Sequence, residues 1–292
     1  MTWMMLGDRP VPEREARISV LDHGLLYGLG AFETLRLYDG HPFLLDDHLD
    51  RLNRGLACMG IRIPQSREAW IRQIRHVSRL NGWKDATVRL AVTAGEEGPG
   101  LGAGRYGRPN TFLFIRPLPP DPPWEQRGKS LRQVRTPRQA PGGAERFKTA
   151  NYLNSVLARQ ELSAFPDEEG LMLTKDGMLA EGIISHLFFV KDGVLCTPSL
   201  ELGILEGVTR TFVLELARRA GIPVEEGIWP PGVLDEADEI FLTNSVREIV
   251  PVRSWNGRRW ERHPVGRLLW EEYRRHIGWR WSVWQETGGE GQ

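Results

Sequence analysis

Hydrophobic and polar positions along this 292-residue chain follow two rhythms. Spacings of three and four predict helices. Residues 46–59 put Leu49, Leu52, Leu56 and Met59 on one side. Ser66 heads a second helix carrying Trp70, Ile71, Ile74, Val77 and Leu80, and Gly82 ends it. A third opens at Lys148, with Leu153, Val156 and Leu157 recurring on one face. A fourth begins near Val208, with Phe212, Val213, Leu216, Ala217 and Ala220 as its stripe, and stops at Gly221 and Pro223. Short apolar runs predict strands at 2–6, 16–21, a stretch through Tyr38, 42–45, 86–93, 111–115, 131–134, 170–174, 178–180, 187–190, 194–196 and 239–242. Asp39-Gly40, Lys175-Asp176-Gly177 and Lys191-Asp192-Gly193 are hairpin turns. Pro117, Pro119, Pro120, Pro122 and Pro123 make a stretch too stiff for helix or interior strand. The pattern predicts an α+β protein of two domains. A small N-terminal α/β domain spans 1–116, a proline-rich linker 117–130, and a larger domain 131–292 ends in a tryptophan-rich tail. Some of those tryptophans must pack on the core or on a partner, and residues 288–292 are expected to be disordered.

Composition narrows the function. Lys plus Arg and Asp plus Glu are 38 each, so no basic stripe invites nucleic acid. The cysteines, Cys58 and Cys196, fit a reducing compartment, and no ligand spacing suggests a metal. No apolar run is long enough to span a bilayer, and no signal peptide is expected at the start of the chain. The expectation is a cytoplasmic protein acting on a small molecule.

Several stretches carry chemistry. In Arg146-Phe147-Lys148-Thr149-Ala150-Asn151-Tyr152 an amine sits among apolar neighbours, which favours its neutral form and imine formation with a carbonyl. Glu181, in Glu181-Gly182-Ile183-Ile184-Ser185-His186, is expected to be partly buried and to need a cationic partner. Gly207-Val208-Thr209 offers a helix N-terminus and a hydroxyl to an anion, and Ser245 offers another hydroxyl. His48 and Arg51 share a helix face; His48 is read as a polar contact to nearby backbone, Arg51 as a surface charge or a phosphate ligand. Gly24, Gly28 and Gly30 fit neither a Walker loop nor a dinucleotide fingerprint, and are read as a tight turn before the Tyr38 strand.

Arriving in this order, the segments resemble the class IV (fold type IV) pyridoxal-phosphate enzymes, which include branched-chain aminotransferases, D-amino-acid aminotransferases and aminodeoxychorismate lyases. The resemblance runs from about Leu21 to Val252. It implies a two-domain, D-amino-acid-aminotransferase-like fold, a homodimer, and pyridoxal 5'-phosphate (PLP) as cofactor. It further implies Lys148 as the Schiff-base lysine and Glu181 as the carboxylate at the pyridine nitrogen. Arg51, Val208, Thr209 and Ser245 resemble the phosphate cup, Leu205 lies against the ring, and Tyr152 matches a tyrosine near the phenolic oxygen.

Within the family, Asp22-His23-Gly24-Leu25-Leu26-Tyr27-Gly28, Phe32-Glu33-Thr34-Leu35-Arg36 and Ala180-Glu181-Gly182-Ile183-Ile184-Ser185 look most like bacterial aminodeoxychorismate lyases. That resemblance implies release of 4-aminobenzoate and pyruvate for folate synthesis, with Thr34 as proton donor to the departing enol. The alternative is an aminotransferase of branched-chain or D-amino acids. The loop 95–107 lacks the Arg-x-His pair that D-amino-acid enzymes often carry there. Tyr27, Phe32, Arg36, Arg105 and Tyr106 are candidate substrate contacts. His186 stands where an asparagine is usual in the family, so the hydrogen bonding behind Glu181 is expected to differ.

Overall fold

The computed structural model describes residues 1–98, 100, 104–139 and 146–286. The expected disorder of 288–292 lies outside them. The chain divides into two compact units. One comprises Met1–Pro119, Phe147–Asn151 and His276–Gln292; the other comprises Pro120–Arg146 and Tyr152–Arg275.

The first unit holds β1 (Trp3–Leu6), β2 (Arg9–Pro12), α1 (His23–Tyr27), β3 (Gly30–Tyr38), β4 (His41–Pro42), α2 (Leu45–Cys58), α3 (Arg67–Asn81), β5 (Ala86–Thr93) and β6 (Asn110–Pro117). Its strands form a six-stranded antiparallel sheet in the order β2-β1-β6-β5-β3-β4. Strict alternation decides the faces. Leu35, Leu37, Val88, Leu90, Val92, Leu113 and Ile115 point into a core completed by Leu49, Leu52 and Leu56 of α2 and by Trp70, Ile74 and Val77 of α3. Ser66 caps α3 by accepting from the Ala69 N–H, and Gly82 ends it in the left-handed conformation, as its sequence predicts. Residues 16–21 form no strand: a single 3-10 turn over Glu13–Glu15 precedes them, and Val20 and Leu21 are exposed. The return after Asp39-Gly40 is shorter than expected, because α2 already starts at Leu45.

The second unit holds β7 (Lys129–Gln133), α4 (Leu153–Gln160), β8 (Glu169–Leu173), β9 (Leu179–Gly182), β10 (His186–Lys191), β11 (Val194–Pro198), α5 (Val208–Arg219), β12 (Val224–Gly227), β13 (Glu239–Asn244), β14 (Glu248–Trp255), β15 (Arg258–Arg259) and α6 (Pro264–Arg274). Nine strands make one sheet, in the order β12-β11-β10-β13-β14-β7-β8-β9 with β15 beside β14. Trp255 and Trp260 are buried in its core, where the Trp260 indole donates to the Ala237 carbonyl at 3.0 Å. Helix α4 departs from its expected stripe. Leu153, Val156 and Leu157 are exposed, while the small residues Ser155 and Ala158 are buried. Small side chains let this helix lie close to its own unit, leaving the bulky ones outside.

Candidate active site

In the first unit Lys148 does not open a helix; α4 begins at Leu153. Residues Phe147–Asn151 instead lie along the outer edge of β3. The Phe32 N–H donates to the Lys148 carbonyl and the Ala150 N–H donates to the Gly30 carbonyl, both at 2.9 Å. This edge is available because β4 pairs only with Leu37 and Tyr38, at the other end of β3. The Lys148 side chain is half-buried, with Nζ 4.9 Å from the centroid of the Phe32 ring. Thr34 follows Phe32 on the same face of the strand, half-buried. Arg89, opposite Thr34 on β5, holds its guanidinium 3.6 Å above the same Phe32 ring. Sequence reading missed Arg89, which only strand register brings to Thr34.

Arg51 is held firmly within this unit. Its Nε and Nη2 donate to the two oxygens of Glu33 at 2.7 and 2.6 Å, a bidentate fork. His48 Nδ1 stands 2.7 Å from Glu33 Oε2, a carboxylate partner that the sequence reading did not name. Glu33 is fully buried on the core face of β3. Burial alone would raise its pKa, but the Arg51 charge and the His48 hydrogen bond outweigh this and hold it at about 2. One turn past Arg51, a β-carbon on Gly55 would lie 3.2 Å from Phe147 Cβ. The glycine thus lets the lysine-bearing segment press against α2.

The remaining substrate candidates scatter. The guanidinium of Arg36 lies over the Tyr38 ring, 4.5 Å from its centroid. Arg105 is exposed. Tyr106 belongs to the hydrophobic core, bridged to Ile61 and packed against His23. Tyr27 is partly exposed, its ring edge-on to His23.

In the second unit Glu181, on β9, is buried and does have cationic partners. Its Oε1 accepts from Arg146 Nη1 at 2.6 Å and lies 3.0 Å from Arg138 Nε. Its Oε2 accepts from the Leu205 N–H at 3.4 Å and lies 3.4 Å from His186 Nδ1. Arg138 is itself buried and donates to the Gly182 carbonyl at 2.5 Å and to Ser155 Oγ at 3.2 Å. Burial pulls its pKa down; Glu181 opposes this, and the like charge of Arg146 adds to it. Neither arginine was singled out from sequence as the partner of Glu181. Tyr152 caps α4 without a side-chain cap bond.

Helix α5 offers a candidate anion site. Gly207 is its N-cap and brings no side chain to its first N–H groups. Thr209 Oγ1 and Ser245 Oγ are 3.2 Å apart, and Ser245 follows β13 directly. Two hydroxyls and an uncapped helix end suit a phosphate, and a buried carboxylate suits a protonated ring nitrogen. These residues therefore fit a pyridine ring bearing a phosphate ester. Among the described residues no group of acidic, histidine or cysteine side chains could hold a metal ion.

Known proteins place the chain in a family. The family model for amino-transferase class IV matches residues 30–255. The chain is 42% identical to an aminodeoxychorismate lyase of Bacillus subtilis, over 84% of each chain. It is 37% identical to a putative branched-chain-amino-acid aminotransferase of Methanocaldococcus jannaschii, over 95% of this chain and 97% of that one. Its fold matches the branched-chain aminotransferase of the thermophilic archaeon Thermoproteus uzoniensis, solved with norvaline, with TM-score 0.85, 32% identity and coverage of 94% of each chain. The protein is an enzyme of the type IV fold that uses PLP. It belongs to the class IV aminotransferase family.

Proposed function

We propose that this enzyme is a 4-amino-4-deoxychorismate lyase that releases pyruvate and 4-aminobenzoate for folate synthesis. What carries the reading is one face of β3, where the Lys148 amine lies over Phe32 and a hydroxyl, Thr34, follows two residues on. An amine to take a proton and a hydroxyl to give one are what this elimination needs. The identity to the Bacillus subtilis lyase supports it.

PLP, when bound, supplies an electron sink for the carbon that bears the substrate amine. Glu181, fixed by Arg138 and Arg146, would keep the ring nitrogen protonated. Val208, Thr209 and Ser245 would hold the phosphate; Arg51, whose guanidinium plane Glu33 fixes, is the further phosphate ligand that the resemblance implies. Leu205 would pack on the ring and Tyr152 would meet its phenolic oxygen. Lys148 takes the proton from the substrate carbon bearing the amine. The carbon–oxygen bond to the enolpyruvyl group then breaks, and Thr34 delivers a proton to the departing enol. One proton is taken and one given, and the six-membered ring becomes aromatic. Arg89, over Phe32, offers a cation to a substrate carboxylate.

The second reading is an aminotransferase of branched-chain or D-amino acids, favoured by the relative in Methanocaldococcus jannaschii. We also propose a cytoplasmic homodimer. Val20, Leu21, Leu25 and Leu26 of the first unit, and Leu153 and Leu157 of the second, are exposed apolar residues that a second copy would cover. Cys58 and Cys196 are unpaired, in keeping with a reducing compartment.

The test is direct. Purified enzyme with aminodeoxychorismate should produce pyruvate without any added acceptor. Turnover only with an amino donor and a 2-oxo acid together would overturn the lyase reading in favour of the second.

A further inference from the structure

We propose that His186 is a positioning residue, a rigid spacer that sets the distance between the Glu181 carboxylate and the N-terminus of α5. The inference rests on PLP as cofactor and holds whichever of the two reactions the enzyme catalyses.

His186 is buried at the start of β10. One edge of its ring meets Glu181, with Nδ1 3.4 Å from Oε2. The other edge meets Gly207, the cap of α5. A β-carbon built there would lie 2.1 Å from His186 Nε2 and 2.3 Å from Cδ2. No side chain fits at 207 while the imidazole is in place. The backbone of Gly207, at φ −78° and ψ 123°, is open to any residue. Glycine is therefore needed at 207 for space and not for conformation, and what takes the space is His186.

A third link joins the same residue to the other hydroxyl. His186 pairs with Thr243 in the β10–β13 ladder, and β13 runs on to Ser245, whose hydroxyl is 3.2 Å from that of Thr209. The Leu205 N–H, just before the cap, reaches the same Glu181 oxygen that faces His186. One planar ring thus stands where the carboxylate strand, the anion-binding helix and the Ser245 strand converge. A ligand gripped at its ring nitrogen by Glu181 and at its phosphate by α5 needs those two grips at a fixed separation. His186 and Gly207 thus work as a matched pair, the ring filling the space that a side chain at 207 would need.

The experiment titrates PLP into apo-protein of the wild type, Gly207→Ala, His186→Ala and the double variant. It reads the dissociation constant, the visible cofactor band with its pH midpoint, and the melting temperature of each apo form. None of these depends on which reaction is catalysed, so a failed lyase assay leaves the result standing. Gly207→Ala should weaken PLP binding roughly tenfold or more, as expected for neighbours forced apart. His186→Ala, which removes the ring, should weaken it severalfold and move the pH midpoint of the band. In the double variant, where alanine at 186 carries no ring atoms, the clash is gone, so its loss should match that of His186→Ala alone. Losses that simply multiply in the double variant would overturn the proposal. So would a His186→Ala protein with wild-type affinity and band that differs only in melting temperature.

Discussion

Each unit buries a glutamate against arginine, and the two are built differently. Glu33 meets Arg51 through a two-pronged fork and His48 through its second oxygen, inside a hydrophobic layer. Both oxygens are occupied by side chains from one helix, α2. Glu181 has both cations, Arg138 and Arg146, on a single oxygen. Its other oxygen has longer contacts of 3.4 Å, to the Leu205 N–H and to His186. A carboxylate closed off on all sides holds structure together. One fixed from behind, with an oxygen left loosely bonded, is arranged to meet something else.

The contrast can be attacked from its strongest consequence downward. Lys148→Ala removes the amine and leaves both carboxylates in the chain, so turnover should fall below detection while the melting temperature stays near wild type. Glu181→Gln keeps the shape but not the charge, and should lower kcat by roughly 10²–10³-fold, with a smaller loss of stability because the buried Arg138 keeps its bonds to the Gly182 carbonyl and Ser155. If Glu181 were structural like Glu33, the melting temperature would fall and kcat would hold. Glu33→Gln should act first on stability, leaving Arg51 buried with half its partner gone, and through Arg51 it should also weaken PLP binding. A loss of about 3–5 kcal/mol is expected for breaking such a pair, lowering the melting temperature on the order of 10 °C in thermal unfolding.

The smallest effect is read from pH. Glu33 is held down from 4.5 to about 2, so its contribution is complete above 4.5 and drains away as pH falls toward 2. That contribution is about 3 kcal/mol. Denaturant melts should show wild-type stability dropping more steeply across this window than that of Glu33→Gln. Parallel curves would mean that Glu33 is not the group being titrated.

Much of this was legible because it is local. Ser66 and Gly82 bracket α3, Asp39-Gly40 and Asp192-Gly193 take the positive φ values their hairpins need, and β5 spans the predicted residues. What escaped depends on register or on partners distant in sequence. Glu33 lies 15 residues from His48 and 18 from Arg51, and pairs with them only because β3 turns it toward α2. Arg138 reaches Glu181 from 43 positions earlier through a fold that periodicity cannot reveal. The α4 stripe misled for another reason. Apolar spacing marks a helix with one sticky face, but does not say whether that face meets its own chain. Residues 16–21 read as a strand on apolar content alone, with no neighbour to pair with.

The segment that carries the reactive amine also occupies the bare rim of β3. Unclaimed backbone amides and carbonyls at the border of a sheet recruit strands from other molecules, the first step toward aggregation. Here those groups are satisfied by the peptides around Lys148, through main-chain bonds that no side-chain replacement removes. Variants of this lysine can be expected to lose chemistry without losing solubility, because the backbone that presents the amine also guards the sheet.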